Sequence, residues 1–400
     1  MLIMAEKLKI AIYSGNIPST TFIENLIEVL SGDGFIIYLF GKKKKEMKYN
    51  ANVKSFPTPV SEAELVYFVI KESLVLFFRS PQLFKKCMQE VLKKSRNIKK
   101  YFRNAGFILP ILNHQPDIFH IQWAKTVEQN PELFNLLKCK FAVSLRGAHI
   151  NYSPLTDRSL ETAYKKYFPE IDAFHAVSEA IAAEAVKYGA DKNRIRVIHS
   201  SVKDELLNMN PEPHTQGSEI ELISVGRHHW KKGYHYALDA MKILKDDGIK
   251  FKYTIVAQGE IPEELLFMLD DYKLENEVEI INGMSNEELI KLLQTKHLLL
   301  LPSVEEGIAN VVLEAMATGI PVLTTDCGGM KEAVNDRFNG YIVPVRSAKS
   351  IAEKINEFIL EENEVKKDII RNAKLTIRKE FTREKQKTGF RNFYDNVSAK

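Results

Sequence analysis

The sequence predicts two α/β domains in series, each a mostly parallel sheet covered by helices. Three observations carry the prediction. Four hundred residues exceed what one ordinary hydrophobic core organises. Short apolar runs alternate with segments of helical period from the start of the chain. The alternation halts in a polar stretch with two prolines and a glycine, Asn208 to Glu219, and begins afresh beyond it. Apolar residues at 45% and charged residues at 27% exclude a disordered, collagenous or disulfide-stapled chain.

The first domain opens with a strand at Leu8 to Tyr13, which argues against reading the N-terminus as a signal peptide. A helix is expected after Ser19 or Thr20, with Phe22, Ile23, Leu26, Ile27 and Leu30 on one face. Gly32-Asp-Gly34 closes it, and Phe35 to Phe40 is the next strand. Further strands are expected at Ile118 to Ile121, Phe141 to Leu145, Ala173 to Val177 and Arg196 to Ile198, with a helix at Ile181 to Tyr188. In the second domain the strands are Ile220 to Val225, Phe251 to Ala257, Val278 to Ile281, His297 to Leu301, Pro321 to Thr324 and Gly340 to Val343. The intervening helices are Tyr234 to Leu244, Asn286 to Gln294, Ile308 to Ala317 and a short Met330 to Val334. The boundaries are therefore 1–207, a linker at 208–219, 220–375, and a C-terminal helix at 376–400 expected to pack back on the first domain. Ligands of such sheets bind at the carboxyl ends of the strands, here in a cleft between the two domains.

A net charge of +4 over the chain says little about partners, but its distribution says more. Between Pro81 and Leu109 lie eight Lys and Arg against Glu90 alone, interleaved with apolar residues. A basic helical insert near 81–109 suits either a solvated face or peripheral contact with an anionic membrane. No reading helix or finger accompanies the charge, so nucleic acid is not an expected partner. Leu65 to Phe78 is apolar, but Lys71 and Glu72 interrupt it and it is too short to span a bilayer. Cys87, Cys139 and Cys327 have no paired spacing for zinc, and their odd number favours a reducing compartment.

Chemistry concentrates in the second domain. Ser224-Val-Gly-Arg-His-His-Trp-Lys-Lys-Gly233 runs from a strand end through a cationic loop to a helix start, a combination that suits either a diphosphate or a capped surface loop. Glu306 and Gly307 follow the apolar strand ending at Leu301. Glu314 is expected about two turns into the next helix, near the same face as Glu306, and two ionised carboxylates there would accept from sugar hydroxyls. A surface charge is the competing reading of Glu314. The third loop, Thr325-Asp-Cys-Gly-Gly-Met330, again joins a strand to a helix, with Cys327 a small buried residue.

At these loops the chain resembles the retaining glycosyltransferases of family 4, which have the GT-B architecture of two Rossmann-like domains facing across a cleft. The resemblance is sharp from Ser224 to Val345. It rests on Gly226-Arg227 with Lys232-Gly233, on Glu306 and Glu314 separated by seven residues, on Ala315-Met-Ala-Thr-Gly-Ile-Pro321, and on Asp326-Cys-Gly-Gly-Met330. It implies that Arg227 and Lys232 hold the diphosphate of a nucleotide-sugar, that Glu306 contacts the donor sugar, and that Glu314 contacts the ribose. With them, Gly226, Met284, Gly307, Asn310 and Val311 would complete the donor site, with no metal and no further cofactor. Catalysis would fall to Arg227, Lys232 and Glu306. The acceptor would be a sugar or lipid-linked saccharide, and the protein cytoplasmic, docked on the inner face of the membrane. UDP-sugars are favoured over GDP-sugars. A soluble disaccharide or storage-sugar transferase, a phosphorylase or epimerase, and a non-catalytic GT-B partner are the alternatives. The first domain departs from the family at Ser144-Leu-Arg-Gly-Ala-His149, where Arg146 stands at a histidine position and His149 at an aspartate position. Arg146 cannot act as a base, but it suits a phosphate or an acidic sugar.

Overall fold

Strands that are buried on both faces read as continuous apolar runs, and such strands belong to parallel sheets sandwiched by helices. The computed structural model, which describes residues 7–32, 35–209 and 219–399, contains two such sheets. The chain divides into a first unit, Met1–Val177, Ile181–Ile198 and Gln386–Lys400, and a second unit, Ser178–Ala180 and His199–Lys385. The expected turn residues Asp33 and Gly34 lie outside the described residues. So do residues 1–6 and most of the expected linker, 210–218.

In the first unit the strands are β1 (Lys9–Ile17), β2 (Ile36–Lys43), β3 (Val53–Thr58), β4 (Ile118–Ile121), β5 (Lys140–Leu145), β6 (Ala173–Ala176) and β7 (Ile195–Val197). All pair in parallel in the order β3-β2-β1-β4-β5-β6-β7. The strand order reverses between β1 and β4, the switch point at which open α/β sheets bind ligands. The helix Arg383–Ser398 supplies Phe390, Phe393, Tyr394 and Val397 to a core that also holds Ile10, Ile12, Ile37 and Leu39. Its attachment is polar as well as apolar. Tyr394 Oη lies 2.7 Å from His120 Nδ1, His120 Nε2 lies 2.9 Å from Ser144 Oγ, and Ser144 Oγ lies 2.8 Å from His175 Nδ1. His175 Nε2 ends the series 2.9 Å from the Ile198 carbonyl. A carbonyl only accepts, so His175 donates from Nε2 and takes the Ser144 proton at Nδ1, which makes His120 the donor to Ser144 and the acceptor from Tyr394. Burial, and next Arg146, hold His120 down at about 3, so that ring is neutral.

In place of one insert helix across 81–109 there are two, Pro81–Lys94 and Ile98–His114, parted at Ser95 to Asn97 where Asn97 caps the second. A third, Glu62–Arg79, precedes them and contains the apolar stretch seen in the sequence.

The second unit repeats the pattern with β8 (Ile220–Arg227), β9 (Phe251–Gln258), β10 (Val278–Ile281), β11 (Leu298–Leu301), β12 (Val322–Thr325) and β13 (Tyr341–Val343). They are parallel in the order β10-β9-β8-β11-β12-β13, so the switch point falls between β8 and β11. Each sheet therefore follows the strand order of a dinucleotide-binding fold.

Candidate functional site

The loops after β8 and β11 meet at the switch point of the second sheet. β8 runs two residues past its expected end at Val225 and carries Gly226 and Arg227 at its carboxyl terminus. The chain then turns through Trp230–Lys232 to Gly233, whose φ of 66° lies in the left-handed region. A Cβ on Gly233 would stand 2.0 Å from the Pro302 carbonyl oxygen, so only glycine lets the two loops close on each other. Val304 N–H donates to the Lys231 carbonyl at 2.7 Å and fixes that contact.

This closure buries a charged cluster. Lys232 Nζ is 2.6 Å from Glu306 Oε1, Lys231 Nζ is 3.4 Å from Glu306 Oε2, and Ser303 Oγ donates to Oε1 at 3.2 Å. Burial alone would push the Glu306 carboxyl up, but Lys232 and Lys231 together hold it below the usual carboxylate range. Two lysines against one glutamate leave one net positive charge. Arg227, exposed at the end of β8, adds a second and enters no ion pair among the described residues. Their field reaches His229, which burial and then Lys231, Arg227 and Lys232 hold below its usual value. Both ring nitrogens of His228 are buried without a hydrogen-bond partner. A cationic, incompletely satisfied loop of this kind matches a diphosphate.

The third loop presses on the same backbone. Gly328, at φ 49°, would carry its Cβ 1.8 Å from the Glu306 carbonyl oxygen, and Gly329 N–H donates to that oxygen at 3.3 Å. Its expected small buried residue, Cys327, is 3% exposed.

The helix after the Glu306 loop begins at Asn310 and ends at Thr318, later than expected, so Glu314 stands about one turn in. Ala309, at its N-cap, offers no side-chain oxygen and donates its own amide to Met330 Sδ at 3.4 Å, which leaves the first amides of the helix, at Asn310 and Val311, without a side-chain cap. Glu314 keeps different company from Glu306: the Asn286 side chain and Lys203 are the groups that favour its ionised form. Asn286 follows Met284 and Ser285, whose hydroxyl caps the helix Asn286–Leu293. Glu314 and the Met284 loop thus form one group, and Glu306 with Lys231, Lys232 and the Gly328 turn another. Lys231 and Ser303 were missed as partners of Glu306, and the Lys231-Lys232 doublet was the only signal available for them.

Burial raises the Glu314 carboxyl from 4.5 to about 7, against smaller opposing effects of Asn286 and Lys203. The folded protein therefore holds a proton there that the unfolded chain releases near 4.5. This group's contribution to stability falls as pH rises from about 4.5 through about 7. Thermal melts across that window should show Glu314→Gln losing this part of the pH dependence.

Among known proteins, residues 208–376 match the family model described as "Glycosyl transferases group 1". This corrects the resemblance to retaining family 4: the family that the match names is group 1. The putative colanic acid biosynthesis glycosyltransferase WcaL of Escherichia coli K12 is 29% identical over 228 residues, 55% of this chain and 56% of that protein. The chain thus spans little more than half the length of this curated relative. Two solved structures share the whole fold. Sucrose-phosphate synthase from Thermosynechococcus elongatus gives a TM-score of 0.75 at 14% identity, covering 98% of this chain and 100% of that one. Anabaena HepE, solved in complex with UDP-glucose, gives 0.68 at 17% identity, with the same coverage. The chain therefore has the GT-B fold and is related, through residues 208–376, to the glycosyl transferases of group 1.

Proposed function

We propose that this protein is a nucleotide-sugar-dependent glycosyltransferase that moves a hexose, from a UDP-sugar in preference to a GDP-sugar, to a sugar or lipid-linked saccharide in cell-surface polysaccharide or glycolipid synthesis. The observation that carries the reading is the Lys231–Lys232–Glu306 cluster beside Arg227 at the β8/β11 switch point. In it, Arg227 and Lys232 hold the diphosphate and stabilise the charge that develops on the departing nucleoside diphosphate, and fixed positive charge in a partly buried site is effective there. Glu306 is then placed against the donor sugar, with Gly226, Gly307, Asn310 and Val311 lining the phosphate end. Glu314 and Met284 lie at the nucleoside. WcaL is named as a glycosyltransferase of colanic acid biosynthesis and HepE is solved with UDP-glucose, which supports the class. Incubation with UDP- and GDP-hexoses tests it: acceptor-dependent release of one nucleoside diphosphate is expected, and release of none with any donor would sink it.

The same reading makes the protein a peripheral one at the cytoplasmic face of the membrane. Helix Glu62–Arg79 has two apolar faces. Leu65, Val69 and Leu76 are buried, while Tyr67, Ile70, Leu74 and Phe78 point away from them at helical spacing and are 52–80% exposed. Exposed Lys85, Lys99, Lys100 and Arg103 belong to the two helices that follow. No helix among the described residues is long and apolar enough to cross a membrane. Apolar contact plus cations suits the surface of a bilayer with anionic lipid. Co-sedimentation with vesicles containing phosphatidylglycerol, absent with pure phosphatidylcholine and lost in Leu74→Asp/Phe78→Asp, is expected; equal behaviour with both vesicles would contradict it.

A further inference from the structure

The first unit holds a guanidinium that no carboxylate neutralises. Arg146 follows directly on β5, and among the described residues it forms no ion pair. One Nη donates to Gln122 Oε1 at 3.0 Å, and the guanidinium carbon lies 4.7 Å from the centre of the Phe22 ring. Its Nε is buried with no hydrogen-bond partner. Burial pushes it down to about 10, so it remains protonated at neutral pH. A half-buried charge without a counter-charge carries a desolvation cost, and one amide oxygen with one aromatic face offsets only part of that.

The surroundings are short of acceptors rather than donors. Gln122 is fully buried, and with its oxygen turned to Arg146 its Nε2 has no partner. His149 sits against the Trp123 ring, 5.4 Å between centroids, with Nδ1 buried and unpartnered. Burial and then Lys125 hold His149 below its usual value. Trp123 in turn donates to the Ser14 carbonyl at 3.1 Å, which ties the end of β4 to β1. Arg146, Gln122, His149 and Trp123 thus gather at the carboxyl ends of β1, β4 and β5, beside the switch point of the first sheet.

We propose that this is an anion-recognition site, in which Arg146, held in place by Gln122 and the Phe22 ring, holds a carboxylate or phosphate of the acceptor. The inference rests on the glycosyltransferase reading and deepens it: the acceptor is an acidic saccharide or one joined to a phosphate, not a neutral sugar. Arginine fits this role because its planar fork meets two anion oxygens at once.

The chain has two tryptophans, so Trp230→Phe leaves Trp123 as the only indole reporter. In that background the fluorescence of Trp123 is followed during titration with D-glucuronate, α-D-glucose 1-phosphate and D-glucose. At least one anionic probe is expected to act at a concentration about tenfold or more below that of glucose, as a hydrogen-bonded charge pair requires. Which anion does so separates a carboxylate acceptor from a phosphate one. Arg146→Gln removes the difference. Arg146→Lys, which keeps the charge but not the fork, weakens it several-fold and carries the test if the glutamine variant does not fold. Equal responses to glucose and both anions, no response to either anion, or an unchanged preference in a folded Arg146→Gln protein would each overturn the proposal. Nucleotide binding on the second unit is measured separately. If a nucleotide binds without any anion response, this inference fails and the donor reading stands; an anion response without nucleotide binding keeps the anion site but removes the donor reading, and with it the assignment of that anion to an acceptor.

Discussion

Replacing Lys232 by alanine is expected to lower the transfer rate by about 10²–10³-fold, the effect of removing one preorganised charge from a leaving-group site. Stability should fall as well. Glu306 would lose its 2.6 Å partner and keep only Lys231 at 3.4 Å and the Ser303 hydroxyl. Breaking a buried pair from one side typically costs about 3–5 kcal/mol, and the remaining partners place this variant toward the lower figure. The triple replacement Lys231→Met/Lys232→Met/Glu306→Gln removes all three charges of the cluster and should recover most of the stability but none of the activity. Urea unfolding and initial rates on the same preparations separate the two effects. If Lys232→Ala keeps full activity, the lysine serves only to hold Glu306.

The second large effect is steric. Gly328→Ala would drive a methyl group to 1.8 Å from the Glu306 carbonyl oxygen at a φ of 49°, where the obstacle is backbone and cannot swing aside. A loss of about 3 kcal/mol or more is expected, as for other forced overpacking combined with backbone strain. Gly248→Ala provides the comparison. Gly248 also has positive φ, 76°, but nothing lies within 4 Å of its Cβ position. That variant should lose only the conformational cost of about 1 kcal/mol. Equal losses in the two variants would show that backbone conformation alone, and not the approach of the third loop to Glu306, fixes Gly328.

The sequence made the strands legible where they are buried on both faces. Leu298–Leu301 is wholly buried, and its apolar run declares it. β3 escaped because it is an edge strand: Val53-Lys-Ser-Phe-Pro-Thr58 carries a lysine and a proline and is mostly half-buried. Helix Glu62–Arg79 escaped for the opposite reason, since apolar residues on both of its faces blur the helical period. In the site, the loops after β8, β11 and β12 were readable because glycines, cations and carboxylates stand at strand ends. What could not be read was who pairs with whom. That Glu306 takes both lysines, that Glu314 turns to Asn286, and that Arg146 rests on Gln122 depend on side chains brought together across 24 to 75 positions of chain.

The central claim, that the β8/β11 switch point holds the diphosphate of a nucleotide-sugar, is tested most directly by isothermal titration of UDP, GDP and ADP into the wild type and Arg227→Ala. Arg227 is exposed, so its removal should leave the fold intact. One nucleotide, UDP on the present account, should bind the wild type, and the alanine variant should bind it about tenfold or more weakly. Failure of all three to bind the wild type, or equal binding by the variant, would contradict the account.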